Sequence, residues 1–267
     1  MSLITLITDF GTSDYYVGAM KGIILQTAPN VRIVDITHHI RPHNVVHGAV
    51  VLRQMMACFP RDTVHVAVVD PGVGSERRIV AGRYEGQYVI APDNGLISLV
   101  HRDMRLEGMH TVRNTRYFRA PVSHTFHGRD IIAPVAAHVA SGVSIADLGP
   151  PTDQLELLRL AKPERIEPAG LAGCVVYADH FGNLATNISV ADLESLYRTN
   201  GGVNVFVGEH CVGPIRRTYS DVPIGEPLAL IGSSNMLEIS VNSRRADERF
   251  DDSPETRIIV RRDAATC

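Results

Sequence analysis

Four short polar segments of this 267-residue chain carry residue types that chemistry needs, and each follows an apolar run. The first is Thr8-Asp9-Phe10-Gly11-Thr12-Ser13-Asp14. A carboxylate only accepts hydrogen bonds, through two oxygens, so Asp9 just after a strand suits a vicinal diol such as a ribose. The plainer use of Asp9 or Asp14 is to cap the next helix. The second is Val69-Asp70-Pro71-Gly72-Val73-Gly74-Ser75-Glu76-Arg77-Arg78. A strand delivers Asp70 to the sheet edge, and Pro71 with two glycines permits a turn tight enough for Arg77 to fold back. The Gly-Lys-Ser/Thr ending of a phosphate loop is missing, so no phosphate site is expected. The alternative is an ordinary Pro-Gly turn. The third, His124-Thr125-Phe126-His127-Gly128-Arg129-Asp130, places an imidazole beside a glycine at a helix start, where it could serve as a general acid or base. A structural histidine is the competing reading. The fourth, Asp179-His180-Phe181-Gly182-Asn183-Leu184-Ala185-Thr186-Asn187, combines an acid with amides suited to a nucleobase edge, or forms a hairpin turn.

A fifth group is Asp35, His38, His39, His43 and His47. It has one i,i+4 histidine pair but no HExxH pattern, and Pro42 interrupts it, so no metal site is expected.

The elements that must position these segments follow from periodicity. Leu3–Thr8, Val31–Ile36 and Thr63–Val69 read as strands, the last nearly continuous in apolar residues and hence buried on both faces. Strands are also expected at Ile79–Arg83 and Gln87–Ile90. Helical spacing covers Tyr15–Ala28, a stretch from an Asn44 cap through Cys58, Leu96–His101, and Gly128–Ser141, with Pro134 kinking the last or marking its early turns. This rhythm predicts an α/β domain with a mainly parallel sheet over residues 1–162. Such sheets bind ligands beyond the carboxyl ends of their strands, where the polar segments gather. Lys162–Gly170 reads as punctuation between domains. Short strands then recur at Gly173–Ala178, Leu184–Ile188, Val203–Val207, Pro227–Ile231, Leu237–Val241 and Thr256–Arg261, interrupted by a helical piece at Ala191–Tyr197. They predict a smaller all-β barrel over residues 163–267.

Composition narrows the classes. Lys plus Arg is 26 and Asp plus Glu is 29, a net charge of −3, which argues against binding nucleic acid through bulk positive charge. Hydrophobic residues at 45% exclude disorder as the main architecture. The longest apolar runs are too short to span a membrane, and no signal peptide opens the chain. The four cysteines are widely spaced, so reduced thiols and a cytoplasmic location are expected, with Cys58 a buried small hydrophobe.

In order along the chain, TDFG, VHVAVVDPGVGSERR, APDNG, HTFHGRD and DHFGNLATN resemble the motifs of the S-adenosylmethionine hydroxide adenosyltransferases, relatives of the fluorinase and chlorinase enzymes. The resemblance runs from Leu6 to about Val241. It implies an α/β domain followed by a β-barrel, and a homotrimer with active sites formed between subunits. It also implies hydrolysis of S-adenosylmethionine to adenosine and methionine, by attack of water on ribose C5′, without metal or other cofactor. The family's hydrolytic Asp-Arg-His set falls on Asp70, Arg77 and His127, and its absence from the halide-using members favours water as nucleophile here. By the same resemblance Asp9 takes the ribose hydroxyls, and Asp14 and Asp179 face the methionine ammonium. Asn183 faces the ribose or adenine, and Ser233 holds the methionine carboxylate. Asn242-Ser243-Arg244-Arg245-Ala246 is more basic than the family pattern. The competing readings are a halide adenosyltransferase and a nucleoside-binding protein without turnover.

Overall fold

The computed structural model describes residues 2–167, 169–197 and 202–262. They form two compact units, Met1–Leu158 and Arg159–Cys267.

The first unit contains β1 (Leu3–Thr8), α1 (Tyr16–Thr27), β2 (Arg32–Thr37), α2 (Val45–Met56), β3 (Val64–Val68), β4 (Ile79–Tyr84), β5 (Gln87–Pro92), α3 (Ser98–Asp103), β6 (Leu106–Thr111) and α4 (Ala133–Ala140). The sheet order is β2-β1-β3-β5-β4-β6. Period-two alternation sends successive side chains of a strand to opposite faces. Ile4, Leu6, Val64, Val66 and Val68 therefore pack with Met20 of α1 and Ala133, Val135 and Ala136 of α4. Ile7, Ala67 and Val69 pack on the other face with Leu52 and Met56 of α2 and Val100 of α3. β3 is buried throughout, as its continuous apolar run requires.

The sheet is mixed, which corrects the expectation of a mainly parallel one. β2, β1, β3 and β5 run parallel, but β4 is antiparallel to both β5 and β6. The cause is local. Only Glu85 and Gly86 join β4 to β5, both at positive φ (48° and 83°). Such a two-residue turn matches the twist of a hairpin and leaves no room for a crossover. β6 carries Glu107 and Gly108 in its centre and so escaped the apolar pattern.

Asn44 caps α2 by accepting the His47 N–H at 2.9 Å. α1, however, opens at Tyr15 with no side-chain cap, so neither Asp9 nor Asp14 serves that purpose. Of the two readings of Pro134, the early-turn one holds. The residue sits in the first turn of α4, behind a π-helical turn over Gly128–Ile132.

The second unit contains β7 (Glu164–Ile166), β8 (Gly170–Ala178), β9 (Leu184–Ser189), α5 (Val190–Tyr197), β10 (Asn204–Val207), β11 (His210–Arg216), β12 (Pro227–Ile231), β13 (Met236–Val241) and β14 (Arg257–Arg261). The order β14-β10-β11-β12-β13-β9-β8 closes through a β8–β14 pairing into a seven-strand barrel, with β7 added beside β8. Closure removes free edges. Leu171, Val175, Leu184, Val205, Ala229, Ile239 and Val260 point into its core. β7 lies where punctuation was expected. β11 was missed because Gly213 and Pro214 interrupt it.

The cysteines depart from expectation as well. Cys58 is exposed just past α2 rather than buried, with Sγ 3.9 Å from the Gln54 carbonyl. Cys174 is a free thiol, whereas Cys211 is disulfide-bonded, with no CxxC spacing to announce it. Among the described residues no helix is long and apolar enough to cross a membrane, and no group of three or more His, Cys, Asp or Glu is arranged to hold a metal ion.

One polar chain crosses the core. The fully buried His65 of β3 meets Thr5 Oγ1 through Nδ1 at 2.8 Å and Gln87 Oε1 through Nε2 at 2.7 Å. Gln87 then donates to the Met56 carbonyl at 3.1 Å. Because the Gln87 oxygen can only accept, the ring proton sits on Nε2 and Thr5 donates to Nδ1. Burial pushes the His65 pKa down to about 4, against 6.5 for a free imidazole. The unfolded chain therefore binds a proton that the folded chain refuses. Stability is complete above pH 6.5 and falls by about 3 kcal/mol as the pH drops towards 4. His65→Gln is expected to cost about 1–3 kcal/mol at pH 7.5, and the gap to wild type should close as pH falls. Denaturant melts across this range check it; a constant gap would contradict the account.

Candidate active site

The site is built at the end of β3. The Asn94 side chain donates to the Val69 carbonyl at 2.8 Å, fixing the backbone just before Asp70. Next to it, Asp93 is buried and paired with Arg78 at 2.5 Å, and accepts the Glu156 N–H at 2.9 Å. The APDNG segment thus clamps the end of the strand. The turn that follows is short-bonded: Val73 N–H reaches the Asp70 carbonyl at 3.2 Å, and Ser75 donates through both N–H and Oγ to the Gly72 carbonyl.

This turn returns Arg77 onto Asp70. Nε lies 2.8 Å from both carboxylate oxygens, and Nη2 lies 2.5 Å from Oδ2. The two side chains are only 9% and 5% exposed. The same Nη2 reaches His127 Nδ1 at 3.0 Å. Asp70 and Arg77, singled out from one segment, and His127, singled out from another, therefore meet in one network with Arg77 in the middle. Arginine is always a donor, so His127 Nδ1 must accept, and neutral His127 carries its proton on Nε2. Burial, and then the Arg77 charge, hold the His127 pKa below its ordinary value, although Asp70 and Asp130 pull the other way. The imidazole is neutral at pH 7.

Asp9 lies in the turn after β1, half-buried, and accepts the His43 N–H at 2.9 Å. Its neighbour Phe10 packs edge-on against Phe126, the neighbour of His127, with centroids 5.9 Å apart. The Asp9 turn and the His127 loop are thus in contact. Tyr16 joins the same aromatic group, 5.2 Å from Phe126, and Arg129 lies 4.9 Å over the Phe126 ring. Sequence reading missed this group, because Tyr15-Tyr16 reads as a helix start. Asp14 is exposed before α1.

The remaining candidates lie in the barrel unit. Asp179 organises the β8–β9 loop: Oδ1 accepts the N–H groups of Phe181 and Asn183, both at 2.9 Å, and Oδ2 accepts the Asn183 side-chain amide at 3.0 Å. Asn183 therefore spends a donor inside the loop. Ser233 lies on the β12–β13 turn, which Asn235 closes at φ 59°. Nearby, Glu238 accepts the Tyr219 hydroxyl at 2.9 Å. Burial, followed by Glu238, pushes the Tyr219 pKa up to about 12.

In the histidine segment, two members have identified protein partners. His38 is buried between Thr8 Oγ1 at 2.9 Å and Asp35 Oδ1 at 3.1 Å, and Lys21 pairs with Asp35 at 2.5 Å.

A mixed-sheet α/β unit with an Asp-Arg-His network at its strand ends, followed by a closed barrel, defines a class of two-domain proteins with the polar site on loops. The S-adenosylmethionine (SAM) hydroxide adenosyltransferase N-terminal domain matches residues 4–149, and the C-terminal domain of the same family matches residues 173–259. The chain belongs to this family. It is 37% identical to an (R)-S-adenosyl-L-methionine hydrolase of Salinispora arenicola, over 96% of this chain and 97% of that one. It is 32% identical to a fluorinase of an Actinoplanes species, over 90% and 91%. A crystal structure of a conserved protein from Thermotoga maritima superposes with a TM-score of 0.89 at 34% identity, covering 97% of this chain and all of that one.

Replacing Arg77 with Gln removes the cation that holds the His127 pKa down while leaving Asp70 to raise it. The imidazole of Arg77→Gln should titrate at higher pH than in wild type, read by NMR. An unchanged titration would separate Arg77 from His127.

Proposed function

We propose that the protein hydrolyses S-adenosyl-L-methionine to adenosine and L-methionine, by in-line attack of water on ribose C5′. The observation that carries this reading is the bridge from Arg77 to both Asp70 and His127. Curated hydrolases of the family at 37% and 38% identity over nearly the whole chain support it.

The chemistry suits these residues. The sulfonium leaves as a neutral thioether, so its departure needs no acid. Water becomes a strong acid as its oxygen bonds to carbon, so a modest base suffices once the water is aligned. Holding reacting atoms about 3–3.5 Å apart recovers a large part of the barrier. His127 has its Nδ1 lone pair turned to Arg77 and its proton on Nε2, so it donates and orients. Asp70 is the group of the network left to take the proton as the C5′–O bond forms and the C5′–S bond breaks. Arg77 holds the carboxylate in place and stabilises the hydroxide character that the water gains as it loses its proton. Asp9 binds the ribose hydroxyls. Asp14 and Asp179 face the ammonium, Asn183 the nucleoside and Ser233 the carboxylate of the methionine portion. A homotrimer that needs neither metal nor cofactor completes the proposal.

Purified protein should release adenosine and methionine in equal amounts from S-adenosylmethionine, with the rate unchanged by a chelator and no 5′-halo nucleoside formed in chloride or fluoride. Light scattering should give three times the chain mass. A halogenated product would favour the fluorinase-like reading instead. Asp70→Asn and His127→Ala should each lower kcat by about 10²–10⁴. Wild-type rates in both would remove the network from the reaction.

A further inference from the structure

The loop that delivers His127 is tied at three points to the side chain of one residue that has no part in the chemistry above. In an α-helix the N–H of residue 134 would bond to the carbonyl of residue 130. Pro134 has no N–H. The ladder widens instead into the π-helical turn over Gly128–Ile132, with the Ala133 N–H on the Gly128 carbonyl. The Asp130 carbonyl, released by Pro134, accepts the Arg119 N–H at 2.8 Å. π-turns of this kind concentrate at functional sites, and here the turn begins at His127.

The Asp130 side chain completes the clamp and is fully buried. Oδ1 accepts from Arg119 Nη1 at 3.0 Å and Arg129 Nε at 2.7 Å. Oδ2 accepts from Arg129 Nη2 at 2.8 Å and the Ser123 N–H at 2.9 Å. The start, the middle and the end of the loop thus converge on one carboxylate. From the other side, the loop presses on the turn that carries Arg77. A Cβ on Gly74, which has φ +81°, would lie 2.4 Å from the His124 carbonyl oxygen, so the approach depends on glycine.

We propose that Asp130 is a positioning residue for His127, holding the 119–129 loop shut so that the imidazole meets Arg77. The proposal rests on the hydrolytic reading for its kinetic consequence but not for its geometry. The charged and titratable groups acting on His127 are Asp70 and Arg77 from the turn after β3, and His124 and Asp130 from its own segment. Asp130 is one of the two that raise the His127 pKa. Loss of that charge alone would lower the titration, whereas loss of burial and of the Arg77 contact raises it.

The test is Asp130→Asn in the full chain, followed in two ways. In the ligand-free protein, NMR should show His127 titrating at higher pH than in wild type, because the imidazole leaves Arg77 and gains solvent. With S-adenosylmethionine, kcat should fall by about 10–100-fold while KM changes by less than about threefold, the pattern of a displaced reacting group with substrate binding intact. A His127 titration that is unchanged or lowered, or an unchanged kcat, overturns the proposal. If Asp130→Asn does not fold, Arg119→Gln removes one partly exposed partner of the carboxylate. A smaller fall in kcat at constant KM is then expected, and wild-type kcat overturns the proposal. Wild-type protein that yields no adenosine would sink the hydrolytic reading alone, because the NMR arm needs no turnover.

Discussion

The bridging guanidinium of Arg77 is the interaction on which the site depends. A carboxylate as enclosed as Asp70 needs a hydrogen-bonded counter-charge, since an isolated ion in that environment costs several kcal/mol. Arg77 supplies it with a planar fork and has a further N–H left for His127. A lysine would bring the charge without the fixed second direction. The pair is neutral overall, and burial together with the Arg77 charge favours the neutral form of the neighbouring imidazole. That matters beside a sulfonium, because a second cation at the site would repel the substrate it has to hold.

The fold exists around this bridge in a definite causal order. A continuous apolar run buries β3 and makes its carboxyl end a fixed point. Asn94 locks the last carbonyl of that run, and the Pro-Gly turn then has only a few residues in which to reverse. Its tightness returns Arg77 to Asp70 instead of letting it reach solvent. The third member arrives from about fifty residues away, and so needs its own anchor. Pro134 provides that indirectly, by breaking the helical ladder where Asp130 can turn both its carbonyl and its carboxylate onto the incoming loop.

How far the sequence disclosed this depends on whether the cause was local. The Asp70–Arg77 return was readable, because proline and glycine constrain a short segment whatever surrounds it. The Asn44 cap and the buried β3 were readable for the same reason. The antiparallel β4 was not, since Glu85-Gly86 is a weak turn signal and its effect is to reverse a whole strand. β7 is held by its pairing with β8 and β11 by its two neighbours in the barrel, not by their own patterns. Asp130 was passed over because Arg129-Asp130 reads as a solvated charge pair. Only the folded loop brings Arg119 and Ser123 to the same carboxylate. The aromatic group around Phe126 was hidden likewise, its members lying more than a hundred residues apart.

The twelve histidines show why residue type alone could not find the site. His65 and His127 are both driven towards the neutral form by burial, yet they do opposite work. His65 is sealed, with each ring nitrogen committed to a neighbouring strand, and its neutrality serves the core. His38 is likewise enclosed between Thr8 and Asp35. His127 is only partly buried, and its partner is a cation that leaves the ring one defined proton. A neutral imidazole that accepts from an arginine gains a charge-assisted hydrogen bond and resists protonation. That arrangement holds here because the carboxylate of Asp70 binds the same arginine, and the loop clamped by Asp130 gives the imidazole nowhere else to go.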